Sequence, residues 1–231
     1  MFRRLLRGLS HRIPSQCAVC HTWPAQPVCE ACVAQFAQPV ARCITCAIAL
    51  PQEIRQCGGC VINPPPIDRM LAAVSYGYPW STLLVQYKFQ DKTGWAKSFA
   101  TLLRSTPWVE PALDAADMLI PMPLSKERLA ERGFNQCALL AKALDSAKTQ
   151  VHLLQRVLDT PAQRTLARQV RLSSVQHAFA VDPLQSYRLK GQRVVLLDDV
   201  MTTGASLHAA AKALRQAGAS HITGLVFART E

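Results

Sequence analysis

One segment of the sequence, residues 193–206, constrains the fold more than any other. It reads RVVLLDDVMTTGAS and places a short apolar run, typical of a buried strand, directly before two adjacent carboxylates, Asp198 and Asp199. A turn of small and hydroxylated residues follows, and then a stretch with helical spacing. A small-residue loop that opens a helix presents backbone N–H groups to an anion, and Gly204 lets the backbone approach a phosphate closely. The segment therefore predicts a strand–loop–helix unit of an open α/β sheet, with a ligand site at the carboxyl end of the strand.

The two carboxylates give this predicted site a second property. A carboxylate only accepts hydrogen bonds, which suits the two hydroxyls of a ribose. A phosphate loop beside a hydroxyl-binding acid pair describes a site for a ribose 5-phosphate. We expect both acids to lie near solvent, at the open edge of the sheet. The loop itself consists of Thr202, Thr203, Gly204, Ala205 and Ser206.

The sequence changes character near residue 65, at three consecutive prolines that favour a stiff, extended connector. Residues 1–65 carry paired cysteines and few long apolar runs. Residues 66–231 alternate strand and helix patterns, which is the signature of a parallel α/β sheet. We predict a small metal-binding module over residues 1–65 and an α/β domain over residues 66–231. The predicted strands of the second part are 71–78, 117–120, 194–199 and 221–230.

Eight of the nine cysteines form four CxxC pairs, which are Cys17/Cys20, Cys29/Cys32, Cys43/Cys46 and Cys57/Cys60. A CxxC pair places two thiolates on one turn, within reach of one tetrahedral zinc ion. Four pairs predict two closed four-cysteine sites, and these are structural because a closed site leaves no position for substrate. The spacing allows sequential or interleaved pairing, and we favour the sequential one. Cys137 lies on a predicted helix and is interpreted as a small core residue.

The formal net charge is +11, and it remains about +7 after eight cysteines have bound two zinc ions as thiolates. Such a chain suits polyanionic partners, either nucleic acid or phosphorylated small molecules. No apolar run is long enough to span a membrane, and the basic first residues lack the features of a signal peptide. A cytoplasmic protein without membrane insertion is therefore expected.

Four segments resemble the ComF family of bacterial competence proteins. They are RGFNQCALLAKAL at 132–144, LLVQYKF at 83–89, the Gln/Arg-rich stretch at 160–179 and VVLLDDVMTTGAS at 194–206. Their order and spacing fit the family over nearly the whole chain. The resemblance implies a type I phosphoribosyltransferase domain with a Rossmann-like parallel sheet, preceded by a double zinc ribbon. It also implies a ligand, phosphoribosyl pyrophosphate (PRPP), which binds together with Mg²⁺.

Carried over by position, Asp198 and Asp199 would hold the ribose hydroxyls of PRPP, and residues 202–206 would hold the 5-phosphate. The pyrophosphate loop would consist of Met122, Pro123, Leu124 and Ser125. The loop over the site would contribute Gln163, Arg168 and Arg171. Three cations after the pyrophosphate loop either offset phosphate charge or form a solvated helix face; they are Lys126, Arg128 and Arg132.

Two positions depart from the expected pattern. Ser174 stands where the family usually has Asn, so no polar role is assigned there. Some phosphoribosyltransferases place an acid two residues before the loop glycine, as a base for the incoming nucleobase. The equivalent residue in this chain is Thr202, whose hydroxyl is a poor base. The catalytic residues therefore stay unassigned.

The resemblance implies a competence protein that acts on or escorts incoming single-stranded DNA in natural transformation and DNA utilisation. A competence helicase or another DNA-processing protein is an expected type of partner. Arginines near the cysteine pairs would contact phosphates, and Trp23 and Phe36 would stack on bases. Two alternatives remain: a metabolic phosphoribosyltransferase that joins PRPP to an acceptor and releases pyrophosphate, and a non-catalytic scaffold that senses PRPP. Thr202 favours the scaffold over the enzyme.

Overall fold

The computed structural model describes residues 15–23, 25–157 and 178–231. The described residues up to Gln38 form one compact unit, and Pro39–Glu231 belong to a second. Helix α1 (Glu30–Phe36) and an antiparallel bridge between Ser15 and Ala25 make up the first unit. No helix in the described part of the chain is long and apolar enough to cross a membrane.

A four-stranded parallel sheet forms the centre of the second unit. Its strands are β1 (Arg69–Ser75), β2 (Met118–Pro121), β5 (Arg193–Met201) and β6 (His221–Arg229), in the order β1-β6-β5-β2. Strands β3 (Leu154–Arg156) and β4 (Phe179–Val181) form a separate antiparallel pair. The central strands are apolar along nearly their whole length, because helices cover both faces of a parallel sheet. This architecture confirms the predicted α/β class.

The helices alternate with these strands along the chain. In the second unit they are α2 (Gly58–Ile62), α3 (Trp80–Phe89), α4 (Trp95–Ser105), α5 (Val109–Ala115), α6 (Lys126–Arg132), α7 (Gln136–Leu144) and α8 (Ala205–Gln216), with a 3₁₀ turn at Ser186–Leu189. The predicted cap of α7 is confirmed, since the Asn135 side chain accepts hydrogen bonds from the backbone N–H groups of Cys137 and Ala138.

Strand β5 continues two residues beyond the predicted end of its strand. Val200 and Met201 stay paired with Ala228 and Arg229 of β6, so the two carboxylates lie within the strand. Alternating residues of a strand point to opposite faces. Asp198 and Asp199 consequently begin on opposite sides of the sheet, and this decides what each of them contacts.

The hydrophobic core on one side of the sheet includes residues from the second group of cysteines. Cys43, Ala47 and Cys60 pack in one cluster with Met70 and Val226 of the sheet. Composition places a boundary near residue 65, whereas compactness groups the second set of cysteines with the sheet. That residues 1–65 fold as one module remains a prediction.

Candidate functional site

A cavity of about 190 Å³ lies at the carboxyl ends of β2 and β5. Acids, cations and small residues from six different helices and strands surround it. Its lining residues are Lys88, Met122, Pro123, Leu124, Arg128, Arg132, Gln136, Cys137, Arg156, Asp198, Asp199, Val200 and Ser206. The cavity therefore brings together the predicted acid pair, most of the predicted pyrophosphate loop and the last residue of the predicted phosphate loop.

Asp199 is buried, with 3% of its surface exposed. Its Oδ2 lies 2.9 Å from Nζ of Lys88, which α3 places against the sheet. Burial opposes the charge on Lys88, but the Asp199 carboxylate outweighs it and raises the pKa of Lys88. The expectation that both acids lie near solvent is wrong for Asp199, because this side chain is buried and is paired there with the internal cation Lys88.

Asp198 is half-buried and has different partners. Its Oδ1 accepts hydrogen bonds from the backbone N–H of Asp199 at 2.9 Å and from the thiol of Cys137 at 3.3 Å. Burial, followed by the charge of Asp199, raises the pKa of Asp198 to about 7. Asp198 is therefore the acid whose protonation a ligand can change near neutral pH, whereas Asp199 is already paired with a cation.

Cys137 belongs to this site as well as to the core. It is 1% exposed, as expected for a small core residue, and its sulfur lies with the oxygens of Asp198 and Asp199 in one group whose members are within 4.8 Å of one another. Burial and the two carboxylates raise its pKa well above the usual value of a thiol, so it acts as a neutral donor. The one sequence feature that could have indicated this role of Cys137 is its position two residues after the helix cap Asn135.

The loop after β5 begins α8 beside this acid pair. Gly204 has φ of 80°, in the left-handed region, and caps the helix. A Cβ at this position would lie 2.4 Å from Cε of Met201 and 2.9 Å from Nε2 of His208. Thr202 and Thr203 are exposed, and the Thr203 hydroxyl accepts from the N–H of Ala205 at 3.4 Å. Glycine suits this turn because of its positive φ and the close approach of the Met201 and His208 side chains, and the turn leaves Thr202 and Thr203 exposed beside the start of α8.

The predicted pyrophosphate loop is held rigidly at both of its edges. The N–H of Met122 donates to the carbonyl of Leu197 at 2.8 Å, and the Asn135 side chain donates to the carbonyl of Met122 at 3.0 Å. Pro123 and Leu124 line the cavity. Ser125 is buried and caps α6 by accepting from the N–H of Arg128, so it supports the loop without lining the cavity.

Cations make up another part of the cavity lining. Arg128 and Arg132 line the cavity, whereas Lys126 is not among its lining residues. Arg132 donates to Oε1 of Gln136 at 2.8 Å and stacks over the exposed ring of Phe89 at 4.7 Å. Sequence reasoning missed Arg156 of β3, since nothing in its short segment marks a site. Burial and the charge of the neighbouring Arg128 lower the pKa of Arg156. The predicted loop residues Gln163, Arg168 and Arg171 lie outside the described residues.

The eight paired cysteines form two tetrads. The first combines Cys17, Cys20, Cys29 and Cys32, and the second combines Cys43, Cys46, Cys57 and Cys60. Sulfur–sulfur distances are 3.9 Å for Cys17–Cys32, 3.6 Å for Cys20–Cys29 and 3.7 Å for Cys46–Cys57. The favoured sequential pairing is confirmed, and the interleaved one is excluded.

Comparison with known proteins identifies the family. The family model named phosphoribosyl transferase domain matches residues 132–230. Competence protein F of Haemophilus influenzae is 30% identical over 84% of this chain and 87% of its own length, and competence protein ComFC of Bacillus subtilis is 30% identical over 84% and 80%. The chain belongs to the ComF family. The DNA utilization protein YhgH of Salmonella typhimurium is 29% identical over 94% of this chain and 98% of its own.

The matched domain makes the α/β part of this ComF protein a type I phosphoribosyltransferase fold. The match starts at Arg132, so it contains α7, β5, α8 and β6, which supply the acid pair, Cys137 and the phosphate loop. A solved allosteric regulatory enzyme of purine biosynthesis aligns with 57% of this chain and 25% of its own, at 17% identity and a TM-score of 0.37.

The chemistry of both tetrads fits the zinc ions expected of a double zinc ribbon. Four thiolates at ~2.3 Å from one tetrahedral zinc lie about 3.8 Å apart, which agrees with the observed sulfur distances. Although burial opposes it, backbone N–H groups lower the pKa of Cys17 and that of Cys43 to about 6. Burial and the neighbouring thiols raise the pKa of Cys32 and Cys60. A divalent cation is therefore the group that can hold all four sulfurs of a tetrad ionised.

Proposed function

We propose that this ComF protein binds PRPP in the cavity at the carboxyl edge of the sheet, and that it acts on or escorts incoming single-stranded DNA. The observation that carries the first part is the grouping of an acid pair, a glycine-capped phosphate loop and an arginine wall around one cavity. A sugar that carries a phosphate at one end and a pyrophosphate at the other needs these three surfaces in one place.

Each surface has one task in the proposed complex. Asp198 accepts from a ribose hydroxyl, and Asp199 does so while it keeps its contact with Lys88. The N–H groups and hydroxyls of residues 202–206 bind the 5-phosphate, since the start of α8 carries a partial positive charge. Arg128 and Arg132 face the pyrophosphate. Mg²⁺ bound with PRPP would neutralise part of the pyrophosphate charge.

Calorimetric titration with PRPP and Mg²⁺ tests the acid pair. Asp198→Asn keeps the shape but removes a charge-assisted hydrogen bond of ~1.5–3 kcal/mol, so binding should weaken by a factor on the order of 10 to 10². The matched control is Asp114→Asn, which removes an exposed carboxylate that does not line the cavity. Equal binding by the parent and Asp198→Asn would show that this acid does not hold the ribose.

The phosphate loop has its own test. Gly204→Ala places a methyl group against Met201 and His208 and puts a side chain at φ of 80°. Either the loop or these two side chains must shift, and the positive φ strains the alanine backbone, so PRPP should bind at least about tenfold more weakly, a 1.4 kcal/mol change. Gly133→Ala serves as the control, because Gly133 also has a positive φ but nothing lies within 4 Å of its added Cβ. Unchanged PRPP affinity in Gly204→Ala would remove the 5-phosphate from this loop.

One observation favours the non-catalytic scaffold as a second candidate for the PRPP domain. Within the described residues, the carboxylates that line the cavity are Asp198 and Asp199, and both already have partners. Thr202 is exposed and offers only a hydroxyl. Release of pyrophosphate from PRPP, measured with a panel of nucleobase and amine acceptors, separates the two. Turnover with any acceptor identifies an enzyme, whereas tight binding without turnover identifies a sensor.

The proposed DNA function is supported by the net charge of +11 and by relatives named for competence and DNA utilization. In the first unit, Trp23 is 61% exposed, whereas Phe36 is half-buried, so Trp23 is the better stacking residue. Binding to labelled oligothymidylate should weaken steeply as salt rises, because neutralised phosphates release counterions. Affinity that does not change with salt, or no binding at low salt, would contradict this function.

A further inference from the structure

A second cavity, of about 130 Å³, opens at the opposite end of the sheet. It lies where strands β1, β5 and β6 begin, and α5 covers it. Its polar lining consists of Arg69, Arg193, His221 and Thr223, and Trp108 with Pro111 supplies an apolar wall. None of these residues lines the candidate PRPP cavity.

The polar residues of this cavity project from one face of the sheet. Arg193 is in register with His221, and Thr223 is in register with Arg69. Residues in register on parallel strands point to the same side, and so do residues two apart on one strand. Three adjacent strands, in the order β1-β6-β5, therefore carry two guanidinium groups on the same side, with the shorter side chains of β6 between them.

Both guanidinium groups lack an acidic partner among the residues that the structure describes. Arg69 lies 5.0 Å from the centre of the Trp108 ring, and Nε of Arg193 donates to the carbonyl of Ala115 at 3.1 Å. The neighbouring acids are otherwise engaged. Asp68 pairs with Arg215 at 2.5 Å, and Asp117 accepts from the backbone N–H of Arg193 at 2.8 Å. The cavity thus has two positive charges available to an anion.

Trp108 supplies an aromatic surface beside these charges. It is 61% exposed and has φ of 71°, a conformation that costs energy for a residue with a bulky side chain. This backbone places the indole at the edge of the cavity, over the guanidinium of Arg69. An exposed indole with a cation on it is a platform on which a nucleobase can stack.

We propose that this second cavity binds a nucleoside phosphate, with its phosphate between Arg69 and Arg193 and its base stacked on Trp108. The ligand is either a free nucleotide or one nucleotide of a single strand, and the single-strand source rests on the DNA function proposed above. Arg193 begins β5 and Asp199 lies six residues further along it, so roughly 20 Å of strand separates the two cavities. The second site can therefore be tested without disturbing the first.

Two variants remove the two recognition elements separately. Trp108→Ala removes the stacking surface, and Arg69→Gln with Arg193→Gln removes the charges. Each should weaken binding of both dTMP and labelled oligothymidylate about tenfold or more at low salt. Trp108→Phe keeps an aromatic ring and should retain most of the affinity. Lys142→Gln with Lys190→Gln removes the same charge from exposed positions outside both cavities and should change dTMP binding little.

The outcomes separate this inference from the proposed function. Loss of dTMP binding in both variants, with PRPP binding unchanged, supports the site, and parallel loss of oligothymidylate binding identifies the single strand as a source. If dTMP binding is lost while oligothymidylate binding persists, the ligand is a free nucleotide. If the parent binds neither probe, or if both variants bind dTMP as the parent does, the inference is overturned. If the variants still bind the oligonucleotide in that case, DNA binds at another surface of the protein and the proposed DNA function is retained.

Discussion

The two cysteine tetrads are built from the same CxxC pairs, yet they lie in different surroundings. In the first, Cys20 is exposed and Cys29 is half-buried, in a small unit that ends at Gln38. In the second, Cys43, Cys46 and Cys60 are buried and belong to the hydrophobic core of the sheet. The same metal-binding motif thus stands in a small unit of its own in one place and in the core of a larger domain in the other.

Hydrogen bonds join the second tetrad to the sheet. The N–H of Met70 in β1 donates to the carbonyl of Ile44 at 2.7 Å, and Nε of Arg229 in β6 donates to the carbonyl of Cys46 at 2.9 Å. Arg229 is also within 3.3 Å of the carbonyl of Met201, which directly precedes the phosphate loop. From this difference between the tetrads we expect that a zinc ion in the second would stabilise the sheet and the base of the ligand site, whereas a zinc ion in the first would stabilise its own unit.

Replacing one equivalent cysteine in each tetrad tests this difference between them, and it should give the largest change in stability. Cys17 and Cys43 are both 0% exposed, and the sulfur of each accepts a backbone N–H. Structural zinc contributes on the order of 10 kcal/mol, comparable to the whole stability of a domain. Cys43→Ser should therefore abolish the main thermal transition, whereas Cys17→Ser should leave it in place. Circular dichroism and calorimetry measure the transition.

Zinc analysis accompanies this pair. The parent should contain about two zinc ions per chain, and Cys17→Ser should contain about one. PRPP binding should survive in Cys17→Ser, because none of the described residues of the first unit lines the cavity. If both variants lose the main transition, or if Cys43→Ser keeps it, the two tetrads do not differ in the way proposed.

A smaller effect is expected from the link between the second tetrad and the sheet. Arg229 is 7% exposed, so Arg229→Met leaves the carbonyl of Cys46 without this donor and removes one of the donors to the carbonyl of Met201, which still accepts from the N–H of Thr230. Loss of hydrogen bonds from a charged group should lower the free energy of unfolding by about 3 kcal/mol, and PRPP should bind more weakly because the loop loses its support. Denaturant unfolding and PRPP titration measure the two effects.

Gln16→Ala, which removes an exposed hydrogen bond in the first unit, is the control for Arg229→Met. A change under about 0.5 kcal/mol in Arg229→Met, the range of ordinary surface substitutions, would show that Arg229 does not brace the sheet.

The sequence predicted the elements whose pattern is local. The strand predicted at 117–120 and found at Met118–Pro121, the cap Asn135 and the glycine turn at Gly204 each follow from residues close together in the chain. The cysteine spacing predicted two metal sites but allowed either pairing. The sequence could not predict contacts that depend on the assembled sheet. Lys88 reaches Asp199 from a helix that precedes it by more than a hundred residues, and no periodicity marks that lysine as an internal cation.

Two further features could not be predicted for the same reason, since they too depend on the assembled sheet. Cys137 has the pattern of an ordinary helix-face residue, and only the position of α7 against β5 brings its thiol to Asp198. The cysteine spacing predicts two metal sites but contains nothing about which of them packs into the core. That depends on the apolar side chains around the second tetrad, such as Ala47, which meet the sheet only after folding.

The smallest expected effect is a pH dependence of the stability, and it arises from Asp198 on strand β5. The pKa of Asp198 is about 7 in the folded protein, above its ordinary value of 3.8, because burial and Asp199 disfavour its charge. The folded state therefore holds more protons than the unfolded state between these two values, so stability falls as pH rises through this window and levels off above pH 7. Asp198→Asn cannot ionise, and its Oδ1 can still accept from the N–H of Asp199. Its stability advantage over the parent should therefore grow by about 1 kcal/mol between about pH 6 and about pH 8.

Denaturant unfolding at the two pH values measures this change in the stability difference, with Asp114→Asn as the exposed control. If the comparison is right, the same difference appears in a Cys17→Ser background, because the first unit does not take part. An advantage that shrinks as pH rises would mean that Asp198 is ionised more easily than its surroundings imply.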